Sequence, residues 1–542
     1  MQKIPDSVIP AVVQKRFRTL KAPFRSITNF LVLTSLFAIG YSQSPLYTSN
    51  QNQYFLHGFA AAGYGNLSQD WLANTLDPTP VFSKLIELTY RYLQQENIYY
   101  LYYTLLMGIY LFSLTDMAST LFELRNSRSK SMAFTALFLA IHSAGLRFAL
   151  SRWLGVNWTY VLEDGVADQR MLGPVFQPSA FGVFLALSLY LFVQRKPYLG
   201  LLAAAIAVTF HPTYLLSAAM LTLAYALADW IEGKRLSVPI TYGLAAMLFV
   251  SPILYYVVTS FGSTSPDTAS RAREILAGVR IPHHALANQW FDATVIAKLA
   301  LVIAAISLAF RRGRQQRERS AQNSAWRLGL ILLIVSLGSS LLTLLQVITR
   351  SQALALLFPW RLSILIVPLS TTLILAYLVE KIMDYQAAQP THRKRFVYNL
   401  STFILFMVVM VGGIRFWLDL GRKAAEPEQS LYSYVYTHKS QDDIYLTPVK
   451  MQDFRLETGA PIWVDFKSIP YKDTELLEWH RRLRLAEKFY DNADCNLLAK
   501  LVRDEHITHV VWPVNPPPSP CLGPGALYRD QYYILASVLP AK

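Results

Sequence analysis

Apolar residues along this chain of 542 residues fall into blocks that short polar or basic stretches separate. Each block holds roughly 15 to 22 residues, and a membrane-spanning helix needs about 20. The pattern therefore predicts a polytopic membrane protein, an all-α bundle of about eleven transmembrane helices. The predicted spans are residues 28–42, 99–117, 131–150, 179–193, 199–210, 213–230, 238–259, 294–310, 326–348, 357–380 and 397–417.

Lys and Arg are distributed unevenly between the segments that connect these spans. With the N-terminus in the cytoplasm, the cytoplasmic segments carry 22 of these cations in 82 residues, whereas the longer outer segments carry eight. Cationic loops stay on the cytoplasmic side of a bacterial membrane. We therefore predict a multi-pass protein of the bacterial inner (plasma) membrane, with a basic cytoplasmic N-terminus at 1–27 and a transmembrane domain at 28–417. The outer loops are then 42–98, 151–178 and 260–293.

Composition agrees with a membrane protein and changes after the last span. Hydrophobic residues make up 53% of the chain and charged residues 16%, a balance that excludes a disordered protein. The net charge of +15 follows from basic loops facing anionic lipid, so nucleic acid is not a predicted partner. In 418–542 the charges return, with a predicted strand at 507–512 and an amphipathic helix at 474–488. We predict a small extracytoplasmic α/β domain, in which Cys495 and Cys521 could form a disulfide.

The long outer loops are where we expect the chemistry, because the cytoplasmic connections are short. The first outer loop contains Asp70 beside Trp71. A carboxylate held at the membrane interface can act as a general base on a hydroxyl group, and Asp70 is the candidate for that role. The structural alternative for Asp70 is a helix N-cap or a surface acid, and Asp77 is explained by the turn that Asp77 and Pro78 favour.

Three acids crowd the second outer loop, where Glu163, Asp164 and Asp168 lie within six residues. Clustered carboxylates can bind a divalent cation such as Mg²⁺ or Mn²⁺ through their oxygen atoms. Asp164 and Asp168 are therefore candidates both for catalysis and for metal binding. The alternative is a solvated turn around Gly165.

Cations collect in the third outer loop, on a side that otherwise has few. Arg271 and Arg280 precede the adjacent pair His283 and His284. Both residue types are suited to phosphate oxygens, so the four are candidate substrate-binding residues. The alternatives are a surface ion pair for Arg271 and, for the two histidines, a zinc site that lacks further ligands at a useful spacing.

Two more candidate substrate-binding residues lie at the ends of predicted spans. His211, followed by a proline, closes the fifth predicted span on its outer side, and Arg361 lies just inside the tenth. A charge at membrane depth needs a partner, and a lipid phosphate would serve. The alternative for Arg361 is a side chain that extends to the interface.

Five short segments, together with the order of spans and loops, carry a resemblance to a known superfamily. The segments are LSQDW, DQRMLGPVFQPSAFG, FHPTY, RIPHH and VDFKSIPY…LLEWHRRL. The chain resembles the GT-C superfamily of multi-pass membrane glycosyltransferases and, more narrowly, a bacterial, cyanobacterial-type group within it. The W-W-D triad of the oligosaccharyltransferase branch is missing from the sequence, so the resemblance does not extend to protein N-glycosylation.

The resemblance implies transfer of a sugar from a polyprenyl-phosphate carrier to an acceptor (a glycan, a lipid or a protein) on the outer face of the membrane. It implies Asp70 as the base, and Asp164 or Asp168 as a second acidic position that binds a metal in some members. Contacts with the carrier phosphate are matched more loosely, by Arg271, Arg280, His283, His284 and Arg361.

Two other functions stay open. A transporter or flippase for a lipid-linked or anionic solute would fit the number of spans, but it requires ionisable residues at span centres, where the sequence has few. A non-catalytic membrane scaffold would bind a partner through its outer domain, and its loop acids would not converge on a pocket. Glycine motifs for nucleotide phosphates and an H-E-x-x-H motif are absent, so ATP-driven transport and dinucleotide chemistry have no support.

Overall fold

The computed structural model describes residues 27–262, 264–317, 324–385, 391–515, 519–522 and 525–538. Apart from Ile27, the predicted basic N-terminus lies outside the described residues. Within them, the chain forms a bundle of apolar helices followed by a small domain that combines helices with one sheet.

Each predicted span coincides with an apolar helix or a pair of helices. Seven helices among the described residues are long and apolar enough to cross a membrane, and a bent pair makes an eighth if it counts as one span. Three further apolar helices are shorter. The chain is therefore a multi-pass membrane protein, while the count of eleven spans stays a prediction.

The helices are α1 (Ile27–Tyr41), α2 (Gln51–Tyr54), α3 (Leu56–Ala62), α4 (Pro80–Leu93), α5 (Ile98–Leu121), α6 (Arg128–Ile141), α7 (Ala144–Leu154), α8 (Val183–Val193), α9 (Pro197–Phe210), α10 (Leu215–Ile231), α11 (Ser237–Ser260), α12 (Pro266–Glu274), α13 (Pro282–Ala285), α14 (Ala287–Trp290), α15 (Ala293–Arg317), α16 (Ser324–Thr349), α17 (Gln352–Leu356), α18 (Ser363–Tyr385) and α19 (Thr391–Ala424).

The predicted span 131–150 is broken in the structure. Helices α6 and α7 meet at an angle of 54°, with His142 and Ser143 between them. The Ser143 hydroxyl accepts a hydrogen bond from the backbone N–H of Leu146 at 3.1 Å, which caps α7 as a separate helix. The backbone N–H of Leu146 therefore has a partner although a new helix begins here, so the chain can change direction without leaving this donor unpaired.

The connecting segments form two sets at opposite ends of the bundle. At one end, which we call the basic end, the fully buried Asp229 accepts from Lys234 at 2.6 Å and from the Tyr242 hydroxyl at 2.5 Å, and it also pairs with the buried Arg327. The other end, which we call the loop end, carries the predicted outer loops and the C-terminal domain. The separation agrees with the predicted sidedness, although the orientation in the membrane stays a prediction.

The C-terminal domain follows α19, which ends at Ala424 and not at the predicted 417. The predicted helix and strand in this domain are confirmed as α22 and β2. The sheet has the order β1-β2-β4-β3, with β1 parallel to β2 and the other pairs antiparallel. Cys495 and Cys521 are joined by a disulfide. The elements are α20 (Gln429–His438), β1 (Tyr445–Leu446), α21 (Phe454–Thr458), α22 (Asp473–Asn492), α23 (Cys495–Glu505), β2 (His509–Pro513), β3 (Ala526–Arg529) and β4 (Tyr533–Ser537).

The first outer loop is folded and packs against the C-terminal domain. The Gln53 side-chain amide donates to the backbone oxygen of Ile469 at 2.8 Å and accepts from its N–H at 2.6 Å. The backbone N–H of Asn66 donates to the Gly459 oxygen at 2.7 Å. Such paired bonds fix the position of the C-terminal domain on the loop end.

Gly65 and Gly459 touch where this loop meets the domain, and both have positive φ. A Cβ on Gly65 would overlap the Gly459 carbonyl oxygen, whereas a Cβ on Gly63, also at positive φ, would meet no atom within 4 Å. Both alanine variants bear the left-handed strain of about 1–2 kcal/mol, but only Gly65→Ala adds an overlap that costs about 1–3 kcal/mol more. We expect Gly65→Ala to lower the apparent melting temperature more than Gly63→Ala, and equal losses would contradict the close approach.

Candidate functional site

A cavity of about 560 Å³ lies at the loop end, where the membrane helices meet the C-terminal domain. Its walls come from all three predicted outer loops, from residues 211–213, from residues 356–361 and from the C-terminal domain. Four of the five segments that carry the resemblance contribute lining residues; LSQDW does not. Positions far apart in the sequence therefore converge on one site.

Five of the six predicted substrate-binding residues line this cavity, namely His211, Arg280, His283, His284 and Arg361. The sixth, Arg271, does not: its side chain is 69% exposed and lies 3.4 Å from the Asp267 carboxylate. This is the surface ion pair that the sequence left open, so Arg271 is not part of the cavity, and its phosphate contact stays an untested prediction.

Arg280 ends the π-helical turn Ile275–Arg280, which follows α12. Its guanidinium donates to the backbone oxygen of Lys467 at 2.6 Å and lies 5.2 Å from the ring centroid of Phe466. This contact places Lys467 of the C-terminal domain in the cavity wall. Burial and the neighbouring Arg280 lower the pKa of Lys467 to about 8.

Arg361 is another cation in the cavity wall. Its guanidinium carbon is 4.7 Å from the ring centroid of Tyr214 and 5.9 Å from that of Phe358. No salt bridge joins Arg361 to an acid among the described residues, and its Nε has no hydrogen-bond partner there. A partly buried cation with aromatic neighbours and no carboxylate favours an anionic ligand.

Asp168 is the only acid among the described residues that line the cavity, and its side chain is exposed to it. Ala167 and Asp168 both have positive φ, at 59° and 51°. Consecutive non-glycine residues in this region are strained by about 1–2 kcal/mol each, so the surrounding structure must hold the turn.

Three side chains hold this turn. The Lys298 ammonium donates to the Gly165 backbone oxygen at 2.6 Å, and the Ser363 hydroxyl accepts from the Val166 N–H at 2.9 Å. His284 Nδ1 lies 2.6 Å from the Ala167 oxygen. The three contacts come from α15, α18 and α13, so the position of Asp168 is set by the packing of the bundle.

His284 is a positioning residue in this arrangement. A carbonyl oxygen only accepts, so Nδ1 of His284 carries the proton that it donates to Ala167. Burial, with the neighbouring His283 as the second cause, lowers the pKa of His284 to about 4. His284 is therefore neutral at pH 7 and does not supply the positive charge that the sequence assigned to it.

The two other acids of the second outer loop are buried and paired. The Asp164 carboxylate lies 2.6 Å from Arg170, and the Glu163 carboxylate lies 3.8 Å from Arg147. Burial raises the pKa of both carboxyl groups. Asp164 therefore supports the turn and does not face a substrate.

The predicted metal site at Asp164 and Asp168 does not fit these surroundings. Asp164 is bound by Arg170, and cations lie around Asp168 where a Mg²⁺ or Mn²⁺ ion would need further oxygen ligands. The described part of the chain contains no group of three His, Cys, Asp or Glu side chains that could hold a metal ion. We therefore derive no step through a metal.

Asp70, the predicted general base, lies outside the cavity. It is fully buried; one carboxylate oxygen accepts from Arg455 Nε at 2.6 Å and from the Ile462 N–H at 3.0 Å. The other accepts from the Leu72 N–H at 2.9 Å. Arg455 also pairs with the buried Asp465. Both carboxylate oxygens of Asp70 already accept hydrogen bonds, so these surroundings do not favour Asp70 as a proton acceptor. Instead, Asp70 anchors the first outer loop to the C-terminal domain.

Several lining residues were missed by the sequence reasoning. Gln169, Gln177, Lys467 and Tyr471 all line the cavity, and none was named as a candidate. The available signal was their position inside or beside the segments that carry the resemblance, because Gln169 and Gln177 lie in DQRMLGPVFQPSAFG and Lys467 and Tyr471 in VDFKSIPY.

Comparison with known proteins adds one match. A protein family described as "Domain of unknown function (DUF6798)" matches residues 426–486. No curated protein matches the chain. The matched residues include Arg455 and Asp465, which anchor the domain, and Lys467 and Tyr471, which line the cavity. The similarity thus covers the part of the C-terminal domain that completes the site.

Proposed function

We propose that this protein is a membrane glycosyltransferase of the GT-C type, which takes a sugar from a polyprenyl-phosphate-linked donor. The observation that carries the proposal is one cavity that is lined, among the described residues, by a single carboxylate, Asp168, and by the cations Arg280, Arg361 and Lys467. An acid can take a proton from an acceptor hydroxyl, while cations stabilise the negative charge of a phosphate leaving group.

In the proposed reaction, the oxygen of the acceptor hydroxyl attacks the anomeric carbon of the donor sugar. Asp168 accepts the proton that this hydroxyl loses. The bond between that carbon and the phosphate oxygen breaks, and its electron pair leaves with the polyprenyl phosphate. Arg280, Lys467 and Arg361, which line the same cavity, bind the phosphate. This assignment replaces Asp70 by Asp168 as the base.

An apolar part of the cavity wall suits the prenyl chain of such a donor. Val257 and Phe261 at the end of α11, Leu276 of the π-helical turn, and Leu356 and Phe358 beside α17 line it. Helix α11 is mostly exposed in the bundle, as expected for a helix that faces lipid. An amphiphilic donor needs apolar and cationic walls in one site, and this cavity has both.

The non-catalytic scaffold predicted that the loop acids would not converge on a pocket, and Asp70 and Asp164 do lie outside the cavity. Asp168, however, lines it together with Arg280 and His283 of another loop. This convergence supports a binding site for a substrate, while a scaffold remains the second candidate.

A transfer assay in proteoliposomes tests the proposal. With a radiolabelled polyprenyl-phosphate-linked hexose, we expect labelled sugar in a new product and release of sugar-free polyprenyl phosphate. Arg280→Gln and Arg361→Gln should each lower kcat/KM by about tenfold or more, because each removes a charge-assisted contact. The matched control is Arg271→Gln, which lies outside the cavity and should keep full activity. Movement of intact donor across the membrane without any cleavage would favour the transporter instead.

The pKa of Lys467 predicts a pH dependence. Below its pKa of about 8 the ammonium is charged and binds phosphate; above it the charge is lost. The sugar-linked donor is a phosphodiester whose charge is constant over this range. We expect its Kd to rise about tenfold as the pH passes upward through that value, because one charge-assisted hydrogen bond is lost.

Lys467→Arg should remove the step, because an arginine stays charged throughout. Lys488→Arg, at an exposed position of α22, is the matched control and should keep the wild-type profile. A step that persists unchanged in Lys467→Arg would remove Lys467 from the phosphate site.

A further inference from the structure

Three polar side chains in the cavity wall are more than nine-tenths buried and have atoms without a partner. Gln169 is 5% exposed, Gln177 5% and His211 6%. Among the described residues, both amide atoms of Gln169, Oε1 of Gln177 and Nδ1 of His211 have no hydrogen-bond partner. Buried polar groups are nearly always satisfied, so three unsatisfied ones around one cavity indicate a polar ligand.

A phosphate group cannot satisfy all of these atoms. Each glutamine amide presents one acceptor oxygen as well as its donors, and an ionised phosphodiester only accepts. The oxygen atoms of Gln169 and Gln177 therefore need a ligand part that donates. A hydroxyl group can donate one hydrogen bond and accept another, so it can pair with either the oxygen or the NH2 group of a glutamine side chain.

The charges of the cavity decide between kinds of sugar. A protonated amino sugar also donates, but its ammonium would lie in the same cavity as Arg280, Arg361 and Lys467 and would be repelled. Within the described ranges, Asp168 alone among the acids lines the cavity, and the proposed reaction itself uses it. The hydroxyl groups of an uncharged sugar can pair with the donors and acceptors of the buried side chains without this charge repulsion.

Neighbouring residues fix the positions of two of the three side chains. A Cβ on Gly173 would lie 2.9 Å from Nε2 of Gln177, so the glycine leaves the space that this amide occupies. The His211 ring lies between Tyr54, at 6.0 Å between ring centroids, and Tyr214, at 5.4 Å. The His211 ring is thus held in place before a ligand binds, which lowers the cost of ordering it.

We propose that Gln169, Gln177 and His211 form a recognition site for the hydroxyl groups of an uncharged hexose, carried into the cavity on the polyprenyl phosphate. The inference rests on the proposed function and adds the class of sugar to it. Binding of the sugar-free carrier reports on the phosphate site alone, and the additional affinity from the sugar reports on the recognition site.

The test is equilibrium binding to the full-length protein in lipid nanodiscs. Three probes are used, all of them phosphodiesters with the same charge at the phosphate: methyl polyprenyl phosphate as the sugar-free carrier, glucosyl polyprenyl phosphate and the corresponding 2-amino-2-deoxyglucosyl compound. We expect the glucosyl compound to bind at least tenfold more tightly than the other two. Gln169→Leu and Gln177→Leu should remove most of that difference and leave the affinity for the sugar-free carrier unchanged.

Thermal stability distinguishes recognition from a structural role. An unpaired buried amide costs stability, so Gln169→Leu and Gln177→Leu should keep or raise the apparent melting temperature of the ligand-free protein. Gln53→Leu is the matched control, since Gln53 lines the same cavity with both amide atoms bonded to Ile469, and it should lower that temperature. Gly173→Ala is a second variant, which displaces the Gln177 amide and should also weaken only the glucosyl compound.

Two results would overturn the inference alone. One is equal binding of sugar-free and glucosyl carriers to the wild type; the other is a loss of melting temperature in both glutamine variants as large as in Gln53→Leu. If none of the three probes binds the wild type, the phosphate site and the proposed function fail together, and that outcome is distinct from the first two.

Discussion

Arg455→Leu is expected to lower the free energy of unfolding by about 3–5 kcal/mol, the largest effect that we predict for a single substitution. Arg455 is fully buried between the carboxylates of Asp70 and Asp465, which are fully buried as well. Removing the cation leaves two carboxylates in a buried environment with no counter-charge. Because the three residues join the first outer loop to the C-terminal domain, the loss should also detach that domain.

The measurement is the apparent melting temperature of the purified protein, together with the rate of proteolysis of the C-terminal domain in membranes. Arg481→Leu is the matched control: Arg481 pairs with Glu478 and Glu505, but its side chain is 45% exposed. Exposed pairs contribute about 0–1 kcal/mol. Similar losses in the two variants would show that the Arg455 cluster is not the anchor that its burial indicates.

Asp168→Asn is expected to lower the rate of sugar transfer by about 10²–10⁴-fold, the range that a general base contributes. Asparagine has nearly the same shape but cannot take the proton. Asp168 is exposed to the cavity, and the side chains of Lys298 and His284 hold its turn by donating to backbone oxygens of neighbouring residues and not to the Asp168 carboxylate. The apparent melting temperature should therefore stay at the wild-type value.

Asp70→Asn is the comparison that separates the two candidate bases. It removes a charge from the buried pair with Arg455, so it should lower the melting temperature. The folded fraction that remains should keep its rate of transfer per molecule. If Asp70→Asn abolishes transfer at normal stability while Asp168→Asn does not, the base is Asp70, as the sequence first indicated, and the cavity assignment is wrong.

The spans were predictable because the bilayer sets the length and polarity of any helix that crosses it. The break between α6 and α7 was not, because Ser143 can also lie inside a helix and its capping bond depends on local geometry. The packing of the first outer loop was not predictable either. Its aromatic residues Phe55 and Tyr64 are buried, because this loop forms its own helices and packs against the C-terminal domain.

The parts of the site that follow from residue type alone were predictable. Arginines and histidines on a side poor in cations indicated a phosphate site, and five of the six converge. Lys467 was missed because one lysine in a charged domain has no distinguishing pattern. Asp70 was preferred over Asp168 because the sequence does not show which way a loop carboxylate faces, and the partner that occupies Asp70 lies 385 positions away.

The most direct test of the account is the position of a bound carrier in an experimental structure. Full-length protein in lipid nanodiscs, with a non-hydrolysable polyprenyl phosphate analogue added, would show where the phosphate lies. We predict phosphate density within hydrogen-bond reach of Arg280, Lys467 or Arg361, with the prenyl chain along Val257 and Phe261. Density elsewhere on the protein, with the cavity between these residues occupied only by solvent, would contradict it.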